Sequence, residues 1–139
     1  MRLKKNAKVD LISSVPLFAG CSKAELSEIA AITDELDLPE GATLIREDER
    51  GREFLVVIDG TVKVTQKGRT VNELGAGSWV GEISLIADVP RTATVVATSP
   101  VRLLVITDRA FQQLIRQTPS IASKVLQSVG ERLHQSSLE

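Results

Sequence analysis

The hydrophobic period of the chain changes twice, and these two changes restrict its fold more than any other feature. Up to about residue 32 the apolar residues recur at helical spacing. From residue 33 to 106 they come in short runs, several with a period of two, and from residue 107 they return to helical spacing. Short strands at close, even intervals indicate a sandwich, jelly roll or barrel. A length of 139 residues fits one domain spanning 1–139. With three Phe, one Trp and no Tyr, its core must be built from aliphatic side chains.

Local signals divide the chain further. Residues 9–15 suit a short helix that Pro16 ends, because proline disfavours helical backbone in the residue before it. Ser22-Lys23-Ala24-Glu25 has the spacing of a capping box, with Leu26, Ile29, Ala30 and Ile32 following at helical intervals. Strands are expected at 34–38, 43–46, 54–58, 61–65, 71–74, 93–97 and 101–106. The continuous apolar run 54–58 predicts burial on both faces. Asp59-Gly60 between two apolar runs predicts a hairpin, and Lys67-Gly68 and Gly75-Ala76-Gly77 predict turns. Thr107 is positioned to cap a helix over 108–117. Thr118 is positioned to cap a last one, with Pro119 at its first position. Ile121, Val125, Val129 and Leu133 form a stripe there that suits core contact, a homodimer seam or a lid over a ligand.

Residues 81–93 carry the chemistry. They read Gly81-Glu82-Ile83-Ser84-Leu85-Ile86-Ala87-Asp88-Val89-Pro90-Arg91-Thr92-Ala93 and interrupt the strand pattern. Ile83, Leu85 and Ile86 suit a short helix with one buried face. Such a helix has unpaired N–H groups at its start, which favour an anion. Gly81 lets the backbone approach a ligand closely. Arg91, held by Pro90 before it, is the residue type suited to a planar, two-pronged grip on phosphate. Glu82 would repel phosphate and is better suited to accept from a sugar hydroxyl. Phosphate and sugar together suggest a nucleotide.

This segment resembles the phosphate-binding cassette of cyclic-nucleotide-binding domains, a family that includes protein kinase A regulatory subunits, the bacterial catabolite activator protein and ligand-gated channels. The pattern is Gly-Glu, a short helix, then Pro-Arg-Thr-Ala, and the likeness extends over about residues 16–135. It implies an eight-stranded jelly-roll β-roll over about 33–106, with N-terminal helices before it and two C-terminal helices over about 107–135. It implies that Arg91 holds the exocyclic phosphate oxygens and that Glu82 holds the ribose 2′-hydroxyl. The amides of Ile83, Ser84, Thr92 and Ala93 would complete the phosphate cradle. Thr92 is compatible with cyclic AMP, the favoured ligand, and with cyclic GMP. Two positions depart from the pattern: Val80, with Trp79 before it, replaces an aromatic, and Asp48 replaces a glycine after the second strand.

The function implied is a sensor in which the nucleotide shifts the C-terminal helices. Two alternatives stand beside it. One is the effector domain of a catabolite-activator-type transcription regulator, cut before its DNA-binding part; the other is a degenerate roll serving as an interaction module. A net charge of −1 argues against direct nucleic-acid binding, and the basic Arg2, Lys4, Lys5 and Lys8 read as a solvated end. No enzyme is expected: the only histidine, His134, falls near the terminus, and no nucleophile–base set or metal cluster is visible. No cofactor or metal is expected either. Cys21 is alone, so no internal disulfide forms, and it reads as a packed turn residue. Neither a signal peptide nor an apolar span is present, which implies a cytoplasmic protein without membrane contact. Leu138-Glu139 has the look of an appended tail.

Overall fold

The computed structural model describes residues 5–137, so Arg2, Lys4 and Leu138-Glu139 lie outside the described residues, as does the side chain of Leu133. Helix α1 (Lys5–Ser13) begins four residues earlier than the apolar pattern indicated. The Ser13 and Ser14 hydroxyls donate to the Asp10 and Leu11 carbonyls at its end, both at 2.6 Å, before a 3₁₀ turn at Pro16–Phe18. Helix α2 (Lys23–Ile32) carries the expected capping box. The Glu25 amide donates to Ser22 Oγ at 3.1 Å, and the Ser22 amide to Glu25 Oε1 at 2.8 Å.

Eight strands follow: β1 (Asp34–Leu38), β2 (Thr43–Ile45), β3 (Glu53–Asp59), β4 (Val62–Gln66), β5 (Arg69–Leu74), β6 (Trp79–Val80), β7 (Thr94–Ala97) and β8 (Val101–Thr107). They form two antiparallel sheets, ordered β1-β8-β3-β6 and β2-β7-β4-β5. This is the expected β-roll. Helix α3 (Glu82–Ala87) interrupts it, and α4 (Asp108–Gln117) and α5 (Pro119–Ser137) close the chain. Thr107 Oγ1 accepts from the Ala110 amide at 3.3 Å and so caps α4. Two-residue β6 was too short to register as a period.

Strand β3 explains why residues 54–58 are so apolar. Phe54 and Val56 face a helix-side core with Ile12, Phe18, Ile29, Leu104, Phe111 and Ile121. Leu55 and Val57 face the interior of the roll with Ile45, Val62, Val95 and Leu103. The Phe54 and Phe111 rings stack with centroids 4.7 Å apart, which seats α4 on this strand. Each face therefore contributes to a different core, and no polar position is left between 54 and 57.

The hairpin expected at Asp59-Gly60 is not formed. Both edges of β3 are occupied, by β8 and β6, so the chain must leave that sheet, and β4 pairs with β5 and β7 instead. Gly60 is needed for a different reason. Its φ is +96°, and a Cβ there would lie 2.3 Å from the Pro100 carbonyl oxygen. Asp-Gly serves here as a corner between sheets that packs on a distant turn. The true hairpin is β4–β5, where Gln66 faces Arg69 across Lys67-Gly68 and both turn residues have positive φ.

The helices are tied to the roll and to one another. Gln112 Nε2 on α4 donates to the Leu85 carbonyl of α3 at 3.0 Å. Lys124 Nζ on α5 donates to the carbonyls of Pro16 at 2.9 Å and Ala19 at 2.6 Å, so a cation sits on the C-terminal end of the 3₁₀ turn. Ile121 and Val125 of the α5 stripe are fully buried in the helix-side core, which places that part of the stripe in intramolecular contact. Among the described residues no helix is long and apolar enough to cross a membrane.

Candidate functional site

The roll opens into a partly enclosed cleft between its second sheet and the α3 segment. One wall is aliphatic: Ile45 of β2, Val64 of β4, Val71 and Leu74 of β5, and Val95 of β7. Gln66 and Asn72 are the polar groups on that side. The other wall is the cassette: Gly81, Glu82, Ile83, Ser84, Arg91, Thr92 and Ala93 all line the cleft. Every site residue singled out in the sequence thus comes to one surface.

Local chemistry explains the cassette's shape. Gly81 caps α3 with no side chain to offer, and a Cβ on it would meet the Glu53 carbonyl at 2.8 Å and Arg91 Nη1 at 2.9 Å. Helix α3 lasts six residues and ends at Asp88, which adopts a left-handed conformation (φ 52°) and returns its amide to the Ser84 carbonyl. Leu85 turns into the helix-side core. The side chains of Ile86 and Ala87 lie outside the described residues.

Arg91 and Glu82 are both buried, so a surface ion pair is not what these two residues form. Glu82 has no exposed surface, and Arg91 is 5% exposed. Arg91 Nη1 donates to the Gly81 carbonyl and to Ser84 Oγ, both at 2.9 Å. Nη2 donates to the Glu53 carbonyl at 2.7 Å and lies 3.9 Å from Glu53 Oε2. Burial pulls the guanidinium below its ordinary value, while the carboxylates of Glu53, Glu82 and Asp108 oppose that shift. The result is a buried cation held in one orientation beside an open cleft, with a buried carboxylate lining the same cleft.

The loop between β2 and β3 supplies contacts that the sequence did not reveal. The Asp48 amide donates to the Arg91 carbonyl at 2.9 Å, and the Arg91 amide donates to the Glu49 carbonyl at 2.8 Å. Asp48, which departs from the cassette family's glycine, holds a positive φ of 70°. Aspartate tolerates that region better than most residues. Gln66 Nε2 donates to the Thr92 carbonyl at 3.0 Å, tying β4 to the end of the cassette. The inward positions of β4 and β7 follow from alternation, whereas Val71 and Leu74 on β5 are three apart, with the pairing register shifting between Val64 and Thr65; the β2–β3 loop contacts had no local signal.

Other candidates fall elsewhere. Trp79 packs toward the helix-side core, while Val80 lines the cleft. His134 is exposed on α5. The Cys21 thiol is pushed above its ordinary value by burial and by the neighbouring Glu25 carboxylate, opposite to what an activated thiolate requires.

The family model described as the cyclic nucleotide-binding domain matches residues 35–118. A cyclic nucleotide-gated potassium channel of Rhizobium etli is 37% identical over 122 residues, covering 88% of this chain and 34% of the channel. A cAMP-dependent protein kinase regulatory subunit of Mycosarcoma maydis is 39% identical over 116 residues, covering 75% of this chain and 22% of that protein. The chain therefore spans about a third or less of the length of these relatives. Among solved structures, the catabolite activator protein of Thermus thermophilus superposes with a TM-score of 0.77 at 28% identity, covering 88% of this chain and 60% of that one.

Proposed function

The chain belongs to the cyclic nucleotide-binding domain family, and from that premise we propose that it is a non-catalytic sensor of cyclic AMP, with cyclic GMP as a weaker ligand. The observation that carries this reading is the charge of the cleft. Arg91 is its one lining cation and Glu82 its one lining carboxylate among the described residues. The arginine is the phosphate partner, helped by the amides of Ile83, Ser84, Thr92 and Ala93. The glutamate accepts from the ribose 2′-hydroxyl.

The aliphatic wall favours adenine. Guanine brings a carbonyl and an extra amino group, and burying polar groups without partners is costly. Thr92, on the cassette side, can offer its hydroxyl to that amino group, which keeps cyclic GMP in range. The signal then travels through α3. As the cassette tightens, Leu85 shifts against α4, to which Gln112 already links it, and α5 follows. The size of that shift is limited by the ligand's difference in affinity between the two helix positions.

The charge of the cleft also favours a cyclic phosphodiester, which is a monoanion, over a 5′-monophosphate, which is largely a dianion at neutral pH. Arg91 is already matched by Glu82 and the first phosphate charge, so burying a second phosphate charge leaves a net desolvation cost of about 2 kcal/mol after its attraction to Arg91 is counted. That is a factor of about 30 in affinity. Competition against labelled cyclic AMP should therefore rank cyclic AMP first, cyclic GMP next, and 5′-AMP about 30-fold below cyclic AMP. Equal competition by 5′-AMP would contradict the charge argument.

A further inference from the structure

The Arg91 side chain lies directly over Gly51, in the loop between β2 and β3. A Cβ built on Gly51 would fall 1.8 Å from Arg91 Nε, 2.0 Å from Cζ and 2.6 Å from Cδ. All three of the nearest atoms belong to Arg91. Gly51 is not among the residues with positive φ, so its backbone is open to any amino acid. The requirement for glycine is therefore spatial, and a single side chain forty positions away creates it.

The rest of the loop closes around the same residue. Asp48 and Glu49 pair with the Arg91 backbone, and Glu53 takes the guanidinium on its carbonyl. Gly51 forms the floor between these two attachments. A methyl group there would push the guanidinium off the Gly81, Ser84 and Glu53 acceptors. It would lift the cation from the height at which it meets the cleft.

We propose that Gly51 is a positioning residue for Arg91: its missing side chain sets where the guanidinium lies, so the β2–β3 loop as well as the cassette determines ligand affinity. The affinity part rests on the sensor reading above; the positioning part does not.

The test is a double-mutant cycle with two readouts. Gly51→Ala should weaken cyclic AMP binding by at least about tenfold, since displacing a positioned group by an ångström can cost up to about 100-fold. It should also lower the thermal midpoint by about 5 °C, through loss of the guanidinium's three hydrogen bonds. In an Arg91→Ala background, Gly51→Ala should lower neither affinity nor midpoint, because nothing remains to collide with. In the ligand-free protein the Arg91 Nε–H resonance should shift on Gly51→Ala. A midpoint loss that persists in the Arg91→Ala background, or an unmoved Nε–H resonance, would overturn the assignment. Failure of the unmodified chain to bind cyclic AMP would count against the sensor reading alone, since the midpoint and resonance readouts need no ligand.

Discussion

Arg91→Ala is expected to weaken cyclic AMP binding by at least about 100-fold while leaving the protein folded. A hydrogen bond to a charged group contributes about 1.5–3 kcal/mol, and two such bonds to phosphate exceed the 2.8 kcal/mol or so that corresponds to 100-fold. The same substitution has a structural cost. Arg91 is buried and satisfies the carbonyls of Gly81 and Glu53. Its loss should destabilise the domain by about 1–2 kcal/mol, which a domain stable by about 5–15 kcal/mol survives. Arg91→Lys tests geometry against charge. A lysine keeps the cation but lacks the planar fork, so it should recover only part of the affinity. Calorimetric titration of both variants, beside circular dichroism melts, separates the two effects. Binding by Arg91→Ala at the unmodified affinity would remove Arg91 from the phosphate site.

The second large effect is expected at Glu82, which is fully buried at the start of α3. Glu82→Gln keeps the size and an acceptor oxygen but makes the hydrogen bond to the ribose neutral. Charge-assisted bonds are roughly twice as strong as neutral ones, so a loss of about tenfold follows. Glu82→Ala removes the acceptor altogether and should cost about 100-fold, the upper range for a bond to a charged group. The ligand can be mutated too. Cyclic AMP without its 2′-hydroxyl should bind the unmodified protein about 100-fold more weakly, yet lose little further on Glu82→Ala. If the 2′-deoxy ligand suffers the same penalty on both proteins, Glu82 does not read the sugar and its buried carboxylate serves the cassette's shape instead.

The parts of this molecule that were legible in the sequence are those whose causes are local. The capping box at Ser22 and Glu25, the α4 cap at Thr107 and the cassette at 81–93 each depend on residues within a dozen positions of one another. The alternation and turn residues indicated a sandwich, jelly roll or barrel, and the resemblance implied the roll and its eight strands. What the sequence hid depends on distant partners. Asp59-Gly60 has the composition of a hairpin, but the edges of β3 are already filled, and only the sheet order reveals that. Gly51 looks like an ordinary loop glycine until Arg91 folds over it. Glu53 looks like a surface strand residue, yet its carbonyl anchors the guanidinium. The aliphatic wall falls between these cases. Val62 and Val64 alternate as one face, but Val71 and Leu74 lie three apart across a register shift, and which interior they enter follows from pairing across the whole roll.

Cyclic nucleotide binding in this cleft is tested most directly by an amide NMR titration of the unmodified chain with cyclic AMP, repeated with cyclic GMP. Saturable shifts should concentrate at Gly81, Glu82, Ile83, Ser84, Thr92 and Ala93, with one nucleotide bound per chain and smaller shifts spreading into α4 and α5. If neither nucleotide moves any amide between 81 and 93 at millimolar concentration, this cleft is not a cyclic nucleotide site.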